Sequence, residues 1–142
     1  GAWIAVRGEF ALFPIFLMLI LMLWMGGFDI IYSTQDEEID RQMGLHSAPA
    51  RFGRNKALKI ALGSHLAMLG LCLAFGVYWK MGIAWWFVFS LMTIAIAYIH
   101  LFRKSDDLDS LNRDFFLANV GISFLVMVGL FVWILTGGTA FG

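Results

Sequence analysis

Asp36 and Asp40 stand four residues apart in a polar stretch, Phe28 to Arg41, that opens with Asp29 inside an otherwise apolar run. Read as one helix turning about 100° per residue, the stretch puts Asp36 and Asp40 on one side, with Asp29 within roughly 20° of both. Glu37 and Glu38 rotate away from that line. Three carboxylates on one face at a membrane surface suit a hard divalent cation carrying phosphate oxygens. Mg²⁺ favours one or two carboxylates plus substrate phosphates over a complete protein cage. An acidic run after a span is more commonly a solvated juxtamembrane helix. Asp29 resists that reading, because a carboxylate within or beside a span is costly and generally functional.

The elements that must position these groups are membrane spans. The chain has 142 residues, is 61% hydrophobic and 14% charged, and carries a formal charge of zero. A soluble domain of this length could not cover so much apolar surface, and nucleic acid is not an expected partner. Four windows lack Asp, Glu, Lys and Arg: Phe10 to Phe28, Ile60 to Trp79, Met81 to Phe102, and Phe115 to the C-terminus. Each reaches the roughly 20 residues that a helix needs to cross the hydrocarbon. Lipid forces backbone groups to bond internally, and the windows lack the alternation of barrel strands. The expectation is an all-α, four-span bundle in a lipid bilayer, with spans at about 10–32, 57–79, 81–102 and 115–136.

Orientation follows from the basic residues. The 33–59 and 103–114 loops share one face and hold eight of the ten Lys and Arg residues, whereas the other face has Arg7 and Lys80. That asymmetry places both loops in the cytoplasm. No secretory signal pattern precedes the first span. Cys72, the single cysteine, lies mid-span and reads as a small apolar filler.

Local signals add detail. Gly26-Gly27 permits close helix approach. The polar helix is expected to run to Met43, with Gly44 as its C-cap. Leu45 to Gly53 reads as an ordered turn, because Pro49 disfavours helix at Ala48. The second span starts near Asn55. Lys80-Met81-Gly82 forms a short outer turn, making spans two and three antiparallel neighbours. Trp79, Trp85 and Trp86 are expected as interfacial anchors there, and Asp114 as a cap of the fourth span.

Competing constellations exist. His65 and His100 lie near the cytoplasmic ends of their spans. Two histidines on adjacent spans can ligate a haem, which would make an electron-transfer protein; lone membrane histidines more often hydrogen-bond a neighbouring helix. Arg41, Arg51 and Arg54 could hold phosphate, but positive-inside topology explains them equally well. Asp106, Asp107 and Asp109 read as a solvated loop. A non-enzymatic membrane bundle or transporter fragment is a further class.

The run Gly27-Phe28-Asp29-Ile30-Ile31-Tyr32-Ser33-Thr34-Gln35-Asp36-Glu37-Glu38-Ile39-Asp40-Arg41-Gln42-Met43-Gly44-Leu45-His46-Ser47-Ala48-Pro49-Ala50-Arg51-Phe52-Gly53 resembles the second aspartate-rich motif of the UbiA superfamily of intramembrane prenyltransferases. Within it, the run is most similar to the 4-hydroxybenzoate polyprenyltransferase group and its menaquinone-pathway relatives. Gly1 to Val6 and Asp114 to Asn119 resemble the same group. The resemblance implies a nine-helix fold, of which these four spans are the C-terminal portion. It also implies Mg²⁺-dependent transfer from a polyprenyl diphosphate to an aromatic acid acceptor for ubiquinone or menaquinone synthesis, at the inner (plasma) membrane. Asp36 and Asp40 would be the catalytic metal ligands; Asp29 and Tyr32 would line the substrate site. The family's first motif, N-D-x-x-D-x-x-x-D, does not occur in this sequence. The missing N-terminal half is therefore an expected partner, and the chain alone is expected to be inactive.

Overall fold

The computed structural model describes residues 1–102 and 108–136 and is helical throughout, without strands among them. A short α1 (Ala2–Arg7) leads into α2 (Leu12–Tyr32). A one-turn 3₁₀ segment, Ser33–Gln35, separates α2 from α3 (Glu37–Gln42), and α4 (Ala48–Phe52) follows. The long α5 (Arg54–Tyr78) and α6 (Ile83–Ala97) come next, then a wide π-turn, Tyr98–Phe102, and α7 (Leu108–Leu135). Four segments are long and apolar enough to cross a membrane: Leu12–Gln35, Arg54–Tyr78, Ile83–Leu101 and Phe116–Leu135. The chain is an all-α bundle of the membrane-spanning kind.

Packing is strongest between α2 and α5, then between α6 and α7, with α5 touching α6 across the short 80–82 turn. Lys80 takes the strained positive φ of 48° at that turn, a conformation that non-glycine residues rarely adopt. At this outer end the core is aromatic. Phe13 lies 5.2 Å from Phe75, 5.5 Å from Trp79 and 5.9 Å from Trp133, measured between ring centroids. These contacts draw α2, α5 and α7 together. Trp85, expected as an interfacial anchor, is instead 2% exposed. Its ring sits 5.0 Å from Phe75 and fills the space where a Cβ on Gly76 would fall 2.6 Å from Nε1. The missing side chain at Gly76 admits the indole into the core.

Two further expectations change. Residues 48–52 form a short helix within the expected ordered turn. Ser47 caps it, its Oγ accepting the Ala50 N–H at 3.3 Å. Pro49 falls in the first turn, where its missing N–H costs nothing. Asp114 is not a cap either: α7 begins at Leu108, so Asp114 lies inside the helix, with a carboxylate oxygen 3.9 Å from Arg113 Nε. Asp106 and Asp107 fall outside the described residues.

Polar contacts inside the bundle join spans directly. Trp24 Nε1 donates to Asn119 Oδ1 at 2.8 Å, linking α2 to α7. Ser64 Oγ donates to the Leu23 carbonyl at 2.8 Å, linking α5 to α2. Such bonds between membrane helices contribute roughly 0.6–1.7 kcal/mol each. Trp24→Phe should therefore lower the unfolding midpoint in a detergent titration by that order. Asn119→Leu should do the same, and the double variant should lose little more than either single one.

Candidate active site

The expected single helix from Asp29 to Met43 is interrupted. Ser33 Oγ donates to the Ile30 carbonyl at 2.9 Å, and Thr34 Oγ1 donates to the Ile31 carbonyl at 2.7 Å. Hydroxyls that bond back to carbonyls three residues earlier compete with the α-helical ladder. Thr34 is 3% exposed, so its hydroxyl has few other partners. The chain tightens into the 3₁₀ turn, and Asp36 takes a non-helical φ of −95° and ψ of 9°. Helix then restarts, with the Asp40 N–H donating to the Asp36 carbonyl at 2.7 Å.

The break changes what the carboxylates share. The 100° rule does not carry across the 3₁₀ turn, so helix periodicity no longer supplies an alignment of Asp29 with Asp36 and Asp40. Asp29 and Asp36 are exposed and Asp40 is half-buried. Among the described residues, no three His, Cys, Asp or Glu side chains form a cluster able to hold a metal ion. Asp36 and Asp40 remain one turn apart, at the start of α3. Tyr32 is 62% exposed at the end of α2. The neighbouring acids are engaged on α3 itself: Arg41 donates to Glu37 Oε1 at 3.0 Å, and Gln42 donates to Glu38 Oε1 at 3.2 Å. Glu37 and Glu38 thus brace the helix and leave Asp36 and Asp40 as the carboxylates without such a partner among the described side chains.

The C-terminus of α3 is closed as expected at Gly44. The Leu45 N–H reaches the Asp40 carbonyl at 2.8 Å, the Gly44 N–H reaches the Arg41 carbonyl at 3.4 Å, and Gly44 has φ +70°. This is a Schellman closure, which satisfies two terminal carbonyls and needs the left-handed residue that glycine supplies. The polar elbow is therefore ordered at both ends.

Inside the bundle the structure unites two residues that are far apart in sequence. His65 Nδ1 and His100 Nε2 lie 2.9 Å apart, a hydrogen bond in which one ring donates and the other accepts. His100 reaches its partner from the π-turn, a local widening of the helix often found at functional positions. His65 is 1% exposed, with ring centroids of Trp24 at 5.5 Å and Phe28 at 5.6 Å. Gly27 supplies the remaining wall. A haem iron held between two imidazoles on opposite faces of its plane needs their nitrogens about 4 Å apart, twice a bond of roughly 2 Å. The pair is closed against such an ion, so purified protein should show no Soret band in its optical spectrum.

A cavity of about 230 Å³ lies among α2, α5, α6 and α7. Leu17, Leu21, Trp24, Cys72, Met92 and Ile122 are among its lining, and Ser123 adds a hydroxyl. Cys72 is the buried filler it was expected to be, its Sγ 3.5 Å from Met68 Sδ. The family resemblance implies an apolar chamber between the spans, but no residue pattern marks its lining, because the walls come from four separate apolar windows. A span that faces lipid on one side and a cavity on the other carries no polar stripe to reveal it.

The bundle therefore has a polar elbow bearing Asp36 and Asp40 at one end and an apolar chamber within. The UbiA prenyltransferase family matches residues 1–121, which includes the elbow, α5, α6 and the first half of α7. No curated protein and no solved structure matches the chain. The match covers most of the sequence and includes every element that builds the elbow, so the chain belongs to the UbiA prenyltransferase family.

Proposed function

We propose that this chain takes part in Mg²⁺-dependent transfer of a polyprenyl group from its diphosphate to an aromatic acid, of the 4-hydroxybenzoate type, in quinone biosynthesis. The observation that carries the reading is the elbow: Asp36 and Asp40 sit one turn apart on a short polar helix directly after a membrane span. Two carboxylates match the donor set with which Mg²⁺ meets substrate phosphates, the remaining positions being filled by phosphate oxygens and water. Asp36 and Asp40 are the residues that would hold the ion. When bound, it supplies positive charge that stabilises the departing diphosphate.

The chain's own groups do the rest. Asp36 and Asp40 would hold the ion that engages the headgroup at the elbow, while the apolar chamber suits part of the prenyl tail. The allylic C–O bond breaks with its electron pair leaving on the diphosphate. A ring carbon of the acceptor bonds to the prenyl carbon and then loses its proton. Walls of Leu, Ile, Trp and Met exclude water that would otherwise capture the cation. Asp29, exposed beside the elbow, and Tyr32 are assigned to the substrate rim. The segment carrying the family's first aspartate-rich motif completes the site in this reading. The location proposed is the inner membrane, with the elbow cytoplasmic.

The test is a transfer assay on the complete protein in membranes, with a radiolabelled polyprenyl diphosphate and a panel of aromatic acids. Prenylated 4-hydroxybenzoate, lost on chelation and restored by Mg²⁺, is the expected outcome. Turnover unaffected by chelation, or transfer only to non-aromatic acceptors, would overturn it.

A further inference from the structure

The two halves of α2 are held by different kinds of contact. Its outer half packs through the aromatic cluster around Phe13, and apolar burial is non-directional, so it sets separation more firmly than rotation. Directional contacts gather in the last three turns of α2, next to the elbow. Ser64 Oγ donates to the Leu23 carbonyl, Trp24 Nε1 donates to Asn119, and the His65 ring lodges between Trp24 and Phe28.

His65 is itself gripped from a third span. Its Nδ1 lies 2.9 Å from His100 Nε2, on the π-turn that follows α6. A hydrogen bond weakens steeply as its donor angle closes toward about 120°, so the bond fixes the orientation of the ring as well as its depth. The ring in turn fills the notch at Gly27, where an added Cβ would come within 3.0 Å of three of its atoms. The need to fill space does not account for the pair. Two apolar side chains would occupy the same volume with no polar atoms to satisfy, and ionisable groups within a span are costly and generally functional.

Gly27 stands five residues before the end of α2, about 7.5 Å by helical rise. The 3₁₀ turn then leads directly to Asp36. A rotation or slip of α2 is carried through this short connection to both carboxylates. We infer that His65 and His100 are positioning residues for the elbow: the pair sets the height and rotation of the cytoplasmic end of α2, and through it the place of Asp36 and Asp40 relative to α5. The consequence for catalysis rests on the function proposed above; the mechanical link does not.

The test uses the complete protein in nanodiscs, spin-labelled at Glu38→Cys on α3 and Lys59→Cys on α5, both exposed positions, in a background without other reactive cysteines. Combining His65→Leu with His100→Leu replaces both hydrogen-bonding partners by apolar groups, an exchange that leaves stability near the parent's. The distance between the labels, read by pulsed dipolar spectroscopy, should nonetheless move by about 1.5 Å or more, one residue's rise along a helix. In the same variant kcat should fall about ten- to a hundredfold. His100→Gln, whose amide can still donate to or accept from His65 Nδ1, should restore the parent distance and most of the turnover. Phe13→Leu controls for general loosening: it lowers stability at the outer end and should leave the distance unchanged. A parental distance in the double leucine variant, an equal shift in Phe13→Leu, or a moved elbow with parental kcat overturns the assignment. Should the double variant fail to fold, His100→Leu is compared with His100→Gln, and equal distances in those two overturn it. The distance is read without substrate, so it decides the mechanical link even where the transfer assay yields no prenylated product.

Discussion

Asp36→Asn or Asp40→Asn, made in the complete protein, should lower kcat for prenyl transfer by at least about a hundredfold. The isosteric change removes charge without removing volume. A loss of that size corresponds to roughly 2.7 kcal/mol at the transition state. The folding cost is far smaller. Asp40 lies in the first turn of α3, where an acidic side chain contributes about 0.3–1 kcal/mol through the helix dipole. Asp36 makes no side-chain cap bond that its replacement would break. Activity should therefore collapse in protein whose unfolding midpoint is nearly unchanged, and the Mg²⁺ concentration needed for half-maximal rate should rise in whatever activity remains. Glu38→Gln is the matched control: its partner is Gln42 on α3, and turnover should be close to normal. Near-normal turnover in both aspartate variants would reject the metal role.

Gly27→Ala should destabilise the bundle, against the local preference of the helix. Alanine in place of glycine normally favours a helix by about 1 kcal/mol. Here the new Cβ would stand 2.6 Å from His65 Cδ2 and 3.0 Å from Cε1. The ring cannot swing aside cheaply. Trp24 and Phe28 flank it, and moving it stretches the 2.9 Å bond to His100. Overpacking of this kind costs about 1–3 kcal/mol, so the net effect is a loss of up to roughly 2 kcal/mol. Removing the ring reverses the sign. In a His65→Ala background, Gly27→Ala should stabilise by about the propensity gain alone. Denaturant titrations of the four proteins in detergent measure this cycle. A Gly27→Ala variant more stable than the parent would show that the α2–α5 contact is looser than described.

The elbow and the histidine pair illustrate different kinds of legibility. Gly44 was readable as a helix stop because its requirement is local: a left-handed residue must follow α3, and glycine adopts that conformation without strain. The interruption before Asp36 was also written locally, in Ser33 and Thr34, but its effect depends on whether those hydroxyls turn back to the Ile30 and Ile31 carbonyls. Burial of Thr34 favours that choice, and burial is a property of the folded bundle. The metal-binding assignment of Asp36 and Asp40 rests on motif resemblance and residue chemistry, whereas the alignment of Asp29 rests on an unbroken helix, which the 3₁₀ turn interrupts.

Hydrophobicity and charge alone determined that this chain is an all-α membrane bundle with four spans. Those are one-dimensional properties: transfer of a twenty-residue apolar run into lipid depends on its composition more than on its neighbours. Only the tertiary structure decided that Trp85 enters the core and that His65 meets His100. Each depends on which faces of different helices come together. Apolar spans are greasy all round, so their sequences carry little record of that choice.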